Sequence, residues 1–389
     1  MRRRAFLCGC GSLALGAATQ LFAEDSAYAL PARFPRPEPT SEEGGLWSYV
    51  DRAEKRLQKS SFLIRDPALQ RYIAGIACRL AGEHCPDTRV YLMRTPYFNA
   101  SMAPNGMMQV WSGLLLRMTS EAQLAAVLGH EIGHYLARHS LERLRDAKSR
   151  GAFAQVLGVA LGVGGAGAGT GLLAQTAVVA GAYAYGRDHE READRIGLEL
   201  MARAGYAPME ASRVWGQLLE ETKAGPGSGA SAGLLFATHP APEEREKTLA
   251  EAAARFASEG RDGAEAYRAM LAPYRHAFLE DELRRRSFGE SLVLLERLAR
   301  SAPRDGEIRF FKGEAYRMRA EGSDLAVAVD EYRAAQALDA PPTESYRSMG
   351  IVHRRLGQPQ DAARAFARYL ELKPDAADAE MIRAYLKQA

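Results

Sequence analysis

His130-Glu131-Ile132-Gly133-His134 can hold a divalent metal ion and also set a base beside the water that ion activates. On an α-helix, side chains four residues apart lie within about 40° of one another around the axis, so both imidazoles reach one ion from one face. Glu131 then stands beside the metal, where a carboxylate takes a proton from water and returns it to a leaving amine. Catalytic zinc usually has three protein ligands and keeps a fourth position for water, so the fold must bring in one more. Glu190 is the best candidate. It lies in Arg187-Asp188-His189-Glu190-Arg191-Glu192-Ala193-Asp194, a charged helical stretch in which Asp194 shares its face. A second carboxylate behind the first suits such a site, because Asp194 can bond the far nitrogen of a ligating histidine and fix its tautomer. His189 is the competing ligand, and Glu192 points elsewhere on the helix.

These side chains need rigid elements. Ser120 with Gln123 makes a capping box, and Leu124, Val127, Leu128, Ile132, Tyr135 and Leu136 repeat at helical spacing, which predicts a helix from Ser120 to about Leu144. Gly129 and Gly133 each cost that helix roughly 1 kcal/mol against Ala, so close approach of another backbone is expected there. Upstream, Asn105-Gly106 is a hairpin turn signal, and Met107 to Trp111 reads as an exposed edge strand beside which extended polypeptide can bind.

HExxH followed by ExxxD resembles the gluzincin endopeptidases that include the CAAX prenyl peptidase and HtpX. Flanking strings resemble that family too: Phe98-Asn99-Ala100, Val110-Trp111-Ser112-Gly113-Leu114-Leu115, and Thr238-His239-Pro240 with Arg245. The resemblance covers about residues 46 to 250. It implies a mainly α (α+β) metallopeptidase domain with a small sheet, and one Zn2+ per chain on His130, His134 and Glu190. Glu131 would be the base and Asp194 the carboxylate behind the ligands. The resemblance also places His239 near the zinc, and Pro240 restricts that residue to extended backbone. Its role is that of a regulatory fourth ligand or of an oxyanion donor, with a structural cap on the following helix as the third alternative. The favoured reading is a closed, self-inhibited resting state.

Downstream, Ala328, Tyr332, Ala335 and Leu338 recur 34 residues later as Ala362, Phe366, Tyr369 and Leu372, the tetratricopeptide period. Three repeats over residues 275–389, closed by a helix from about Asp375 to Lys387, predict an α-solenoid with its own core. The expected order is an export signal at 1–29, a peptidase domain at 46–256, a linker at 257–274 and then the repeats. A gluzincin domain followed by such repeats resembles a periplasmic peptidase of outer-membrane protein quality control. That implies an endopeptidase acting on unfolded or misassembled exported proteins, with the repeats recruiting clients or the outer-membrane assembly machinery. The alternative is a chaperone or assembly adaptor with mainly structural zinc, against which the complete HExxH argues, since a structural site needs no base.

Arg2-Arg3-Arg4-Ala5-Phe6-Leu7 opens an uncharged stretch up to Ala23, and Ala27-Tyr28-Ala29 offers a cleavage site, so 1–29 reads as a twin-arginine-like signal and the compartment as periplasmic. Cleavage would lower the net charge from +3 to +2, and the absence of a basic run excludes nucleic acid as a main partner. Cys78 and Cys85 form either a local disulfide across Gly82-Glu83-His84 or a free pair; zinc binding with His84 ranks below both. Gly151 to Gly186 carries no charge, and a glycine-rich centre leaves apolar flanks shorter than the ~20 residues that cross a bilayer. It reads as a lid over the site, with peripheral membrane contact through 151–186 as the second reading.

Overall fold

In a computed structural model, residues 28–149, 186–225, 239, 242–256, 259–338 and 341–387 are described. Most of the expected export signal (1–27) and of the expected lid (151–185) lie outside them. Helix α1 (Glu42–Leu57) is capped by the Ser41 side chain, and α2 (Pro67–Ala81) by that of Asp66 with Pro67 in its first turn. A 3-10 turn over Gly82–Asp87 follows and brings Cys85 back to Cys78 as a disulfide, with Cα atoms 4.6 Å apart. His84 in that turn is not part of the converging donor group found among the described residues; its Nε2 meets the Pro31 carbonyl at 2.9 Å and its ring packs against Phe34 and Tyr135.

Strands β1 (Arg89–Met93), β2 (Ala100–Met102) and β3 (Met107–Trp111) form a sheet of order β1-β3-β2, with β1 parallel and β2 antiparallel to β3. Asn105-Gly106 does make the turn between β2 and β3, with Gly106 at φ +86° and too close to the Asp87 carbonyl to carry a Cβ. The expected edge is corrected, however. β3 is central because β1 pairs along its other side from Arg89↔Met107 to Met93↔Trp111, so the outer strand next to the hairpin is β2.

Short α3 (Ser112–Arg117) leads into α4 (Glu121–Leu136), which starts as its capping box predicts: Ser120 Oγ accepts from the Gln123 amide at 3.1 Å. The helix does not run on to Leu144. It breaks at Ala137-Arg138, where Arg138 takes φ 58°, and α5 (His139–Ser149) sets off anew. Arg138 is held in that conformation by an ion pair with Glu43 and by the Phe34 ring 5.2 Å away. Leu141 is buried beyond the break, so the apolar rhythm continues and conceals it. Helices α6 (Arg187–Arg203), α7 (Glu210–Ala224) and α8 (Pro242–Ala253) complete this region. At the α4–α6 crossing, a Cβ on Gly133 would lie 2.8 Å from the Ala193 carbonyl, and one on Gly197 3.0 Å from the His130 amide nitrogen.

The expected linker at 257–274 is mostly helix. Gly260 (φ 61°) and Gly263 (φ 65°) do make a turn, but α9 (Ala264–Arg284) begins at once and accommodates Pro273 within it. Tyr267 is buried and donates to the Leu115 carbonyl at 2.7 Å, so this stretch is docked on the peptidase rather than spacing it from the repeats. Helix α10 (Phe288–Ser301) follows, packed on α7 and α11, and then come the helix pairs α11 (Gly306–Arg319) with α12 (Asp324–Gln336) and α13 (Glu344–Arg355) with α14 (Pro359–Leu372), closed by α15 (Ala379–Leu386). Gly313 faces the Tyr332 ring and Gly350 the Phe366 ring, in each case too closely for a side chain. From Pro31 onward the described chain is one compact unit. Its halves are joined by buried ion pairs: Arg117 on α3 meets Glu221 on α7 at 2.7 Å and Glu282 on α9 at 3.0 Å, and Arg297 on α10 also pairs with Glu221. No described helix is long and apolar enough to cross a membrane.

Candidate metal centre

Helix α4 projects His130 and His134 from one face, as four-residue spacing requires, and the glycine-mediated crossing brings α6 close enough for Glu190 to reach them. His130, His134, Glu190 and His239 each offer one ligand atom, and these atoms lie within 4.8 Å of one another. Each side chain is nearly inaccessible, His134 at 1% and Glu190 at 2% exposure. Three imidazoles and a carboxylate converging without bulk water are costly unless a cation joins them, and the donor set is that of a zinc site.

The nitrogens facing the centre can be named. His130 Nε2 lies 3.0 Å from His134 Nε2, 3.2 Å from His239 Nδ1 and 3.4 Å from Glu190 Oε2. Glu190 Oε1 is 3.3 Å from His134 Nε2 and 3.1 Å from His239 Nδ1. Behind His130, Nδ1 meets Asp194 Oδ1 at 2.9 Å, the tautomer-fixing contact expected of ExxxD. Glu131 is 4% exposed, faces His239 Nε2 at 3.5 Å, and lines a small cavity with His130, Phe98, Val214 and Trp215.

The competing candidate His189 is not among the converging donors. Its Nε2 bonds Glu142 at 3.1 Å and its ring stacks on His139, one helical face away from Glu190.

Arg245 lay in a family-like string without a role; the structure supplies one. Its guanidinium bonds Glu190 Oε2 at 2.6 Å and Asp194 Oδ2 at 2.8 Å, and it lies 3.9 Å over the Trp215 ring. One buried cation thus fixes both carboxylates of ExxxD. Its sequence signal was that family-like string, and the structure places it on α8, the helix that follows His239.

The electrostatics follow from burial and these pairs. Burial pushes the Glu131 carboxyl above its ordinary value, which suits a base. Burial would also raise Glu190 and Asp194, yet the imidazoles around Glu190, and Arg245 with His130 beside Asp194, hold both carboxylates below the usual range. Burial and the neighbouring His130 keep the His134 imidazole neutral, as a ligand must be. Burial and Arg245 push His130 down, but hydrogen bonds to Asp194 and Glu190 outweigh them and raise it to about 9.

Comparison with known proteins agrees with this geometry. Residues 64–253 match the model of peptidase family M48. The chain is 29% identical over 245 residues to the beta-barrel assembly-enhancing protease of Escherichia coli O157:H7, covering 60% of this chain and 49% of that protein. Its counterpart in Yersinia pestis is 30% identical over 200 residues, covering 49% and 40%. The mitochondrial metalloendopeptidase OMA1 of Arabidopsis thaliana is 33% identical over 163 residues, covering 42% and 31%. The chain thus spans about half the length, or less, of these curated relatives. The matched segment, just under half of the chain, holds HExxH, ExxxD, His239 and Arg245 together, and what it is similar to is a family of zinc metalloproteases.

Proposed function

We propose that this protein is a zinc-dependent endopeptidase that cleaves unfolded or misassembled exported proteins in the periplasm, in outer-membrane protein quality control. The convergence of four buried donors with Glu131 alongside carries this reading. His130, His134 and Glu190 would hold the ion, and bound zinc would supply Lewis-acid polarisation of water and of the scissile carbonyl. Glu131 accepts the water's proton and delivers it to the leaving amine; its raised proton affinity suits both tasks. Asp194 and Arg245 keep His130 and Glu190 oriented. An extended substrate pairs with the outer edge of β2, because Phe98, just before that strand, lines the same cavity as His130 and Glu131. Main-chain pairing of that kind gives loose sequence selectivity. The helix pairs after α9 act as tetratricopeptide repeats that recruit clients or the outer-membrane assembly machinery, in line with the name of the Escherichia coli relative.

His239 is the regulatory fourth ligand in this reading, since its Nδ1 points into the centre. It leaves when a substrate or partner arrives. The same closed set of four donors favours a second reading, a chaperone or adaptor with structural zinc. Glu131→Gln separates the two. It keeps every ligand, so zinc stays stoichiometric while casein hydrolysis falls by roughly 10²–10⁴-fold or more. Hydrolysis within a few-fold of the original rate would overturn the mechanism, and a wild-type protein that binds zinc but cleaves nothing would favour the adaptor.

A further inference from the structure

Behind His134 there is a second buried histidine that the reaction does not use. His134 Nε2 faces the centre, and its Nδ1 is turned away and meets His139 Nδ1 at 2.8 Å. The other nitrogen of His139, Nε2, lies 3.2 Å from Glu192 Oε2. His139 is wholly buried and Glu192 is half-exposed, at the outer end of this chain of contacts.

Two ring nitrogens 2.8 Å apart share one proton. If Nε2 of His134 offers its lone pair to a metal, the ring carries its proton on Nδ1. His139 Nδ1 must then be the acceptor, so His139 is protonated on Nε2, the nitrogen that faces a carboxylate. One assignment of protons satisfies these contacts, from Glu192 through His139 to His134. The backbone is built to make it. On an unbroken helix, residues five apart lie about 140° from each other around the axis, so His139 could not turn back to His134. The left-handed Arg138 ends α4 and folds His139 behind the ring. His139 is not a third histidine ligand of the HExxH…H type, because its Nδ1 meets the outer side of His134 and it is not among the converging donors.

We propose that His139 is a positioning residue that, oriented by Glu192, locks His134 in the tautomer whose Nε2 binds metal. It would also make that nitrogen a stronger donor. The inference rests on His134 being a metal ligand.

The test uses the full chain and zinc alone, with affinity measured by chelator competition. His139→Phe keeps the ring volume but removes the acceptor, and zinc binding should weaken about 10–100-fold. His139→Asn places an amide oxygen where Nδ1 stood and should restore most of the affinity. Unchanged affinity in a folded His139→Phe protein would overturn the proposal, as would equal losses for Phe and Asn, which would mark a packing role. If His139→Phe fails to fold, nitrogen-15 spectra of the zinc-bound wild type decide: His134 protonated on Nδ1 and His139 on Nε2 is expected, and the opposite pattern refutes it. A wild type that binds no zinc would instead sink the reading of the centre itself.

Discussion

At the scale of single residues, the centre is a set of donors whose second contacts are as well defined as their first. His130 is backed by Asp194, Glu190 by Arg245, and His134 by His139. Removing a donor should therefore act on metal binding rather than on folding. Glu190→Ala is expected to lose zinc on dialysis, measured by atomic absorption, because His189 is held by Glu142 and is not placed to replace it. His189→Ala should leave zinc stoichiometric; loss of metal there would reinstate it as a ligand. His239→Ala should retain zinc on three ligands and raise basal cleavage of casein. A fall in cleavage would assign His239 the oxyanion role instead.

At the scale of elements, the crossing of α4 and α6 sets the geometry. Glycine at 129, 133 and 197 lets two backbones approach so that donor side chains from both helices converge. Gly133→Ala would push its methyl to within 2.8 Å of the Ala193 carbonyl, which backbone cannot yield cheaply. The expected cost is about 1–3 kcal/mol in denaturant unfolding, with weaker zinc binding as Glu190 is displaced from the histidines. Wild-type zinc affinity in that variant would show that the crossing does not control the site. The sheet supplies the second element, and because β3 lies at its centre the substrate pairing proposed above falls to β2.

At the scale of the whole molecule, the segment that holds the centre and the helices after it are not beads on a linker. Arg117, Glu221, Glu282 and Arg297 come from four helices on both sides of the boundary and pair out of solvent. Arg117→Ala leaves Glu221 with Arg297 alone and Glu282 with Arg285 alone, and should cost up to roughly 3–5 kcal/mol. Burial would raise the Glu282 carboxyl, but Arg117 and Arg285 hold it below its ordinary 4.5. A carboxyl lowered by folding contributes fully above its unfolded value and loses that contribution as pH falls through the folded one. Thermal melts from pH 7 to pH 3 should therefore steepen below about 4.5 in wild type and flatten in Glu282→Gln. A truncation at residue 275 cuts α9 and removes Glu282 and Arg297, so loss of peptidase stability is expected, contrary to a repeat array with an independent core.

Spacing alone was enough for the parts of this protein that repeat or ligate locally. His130 and His134 on one helix face, Asp194 behind Glu190, the Ser120 cap and the small–aromatic packing of the repeats all depend on contacts within a turn or a repeat, which period and residue type encode. Tertiary structure decided whatever depends on which distant segment comes alongside. The position of β3 in the sheet was set by β1, and the end of α4 by Arg138 held against Glu43 and Phe34. The choice of Glu190 over His189 followed from the rotation of α6 against α4, and the docked boundary from Tyr267 and Arg117. His139 shows the division most plainly. In sequence it is a histidine five residues past the motif, and only a left-handed residue that no periodicity reveals turns its nitrogen onto His134.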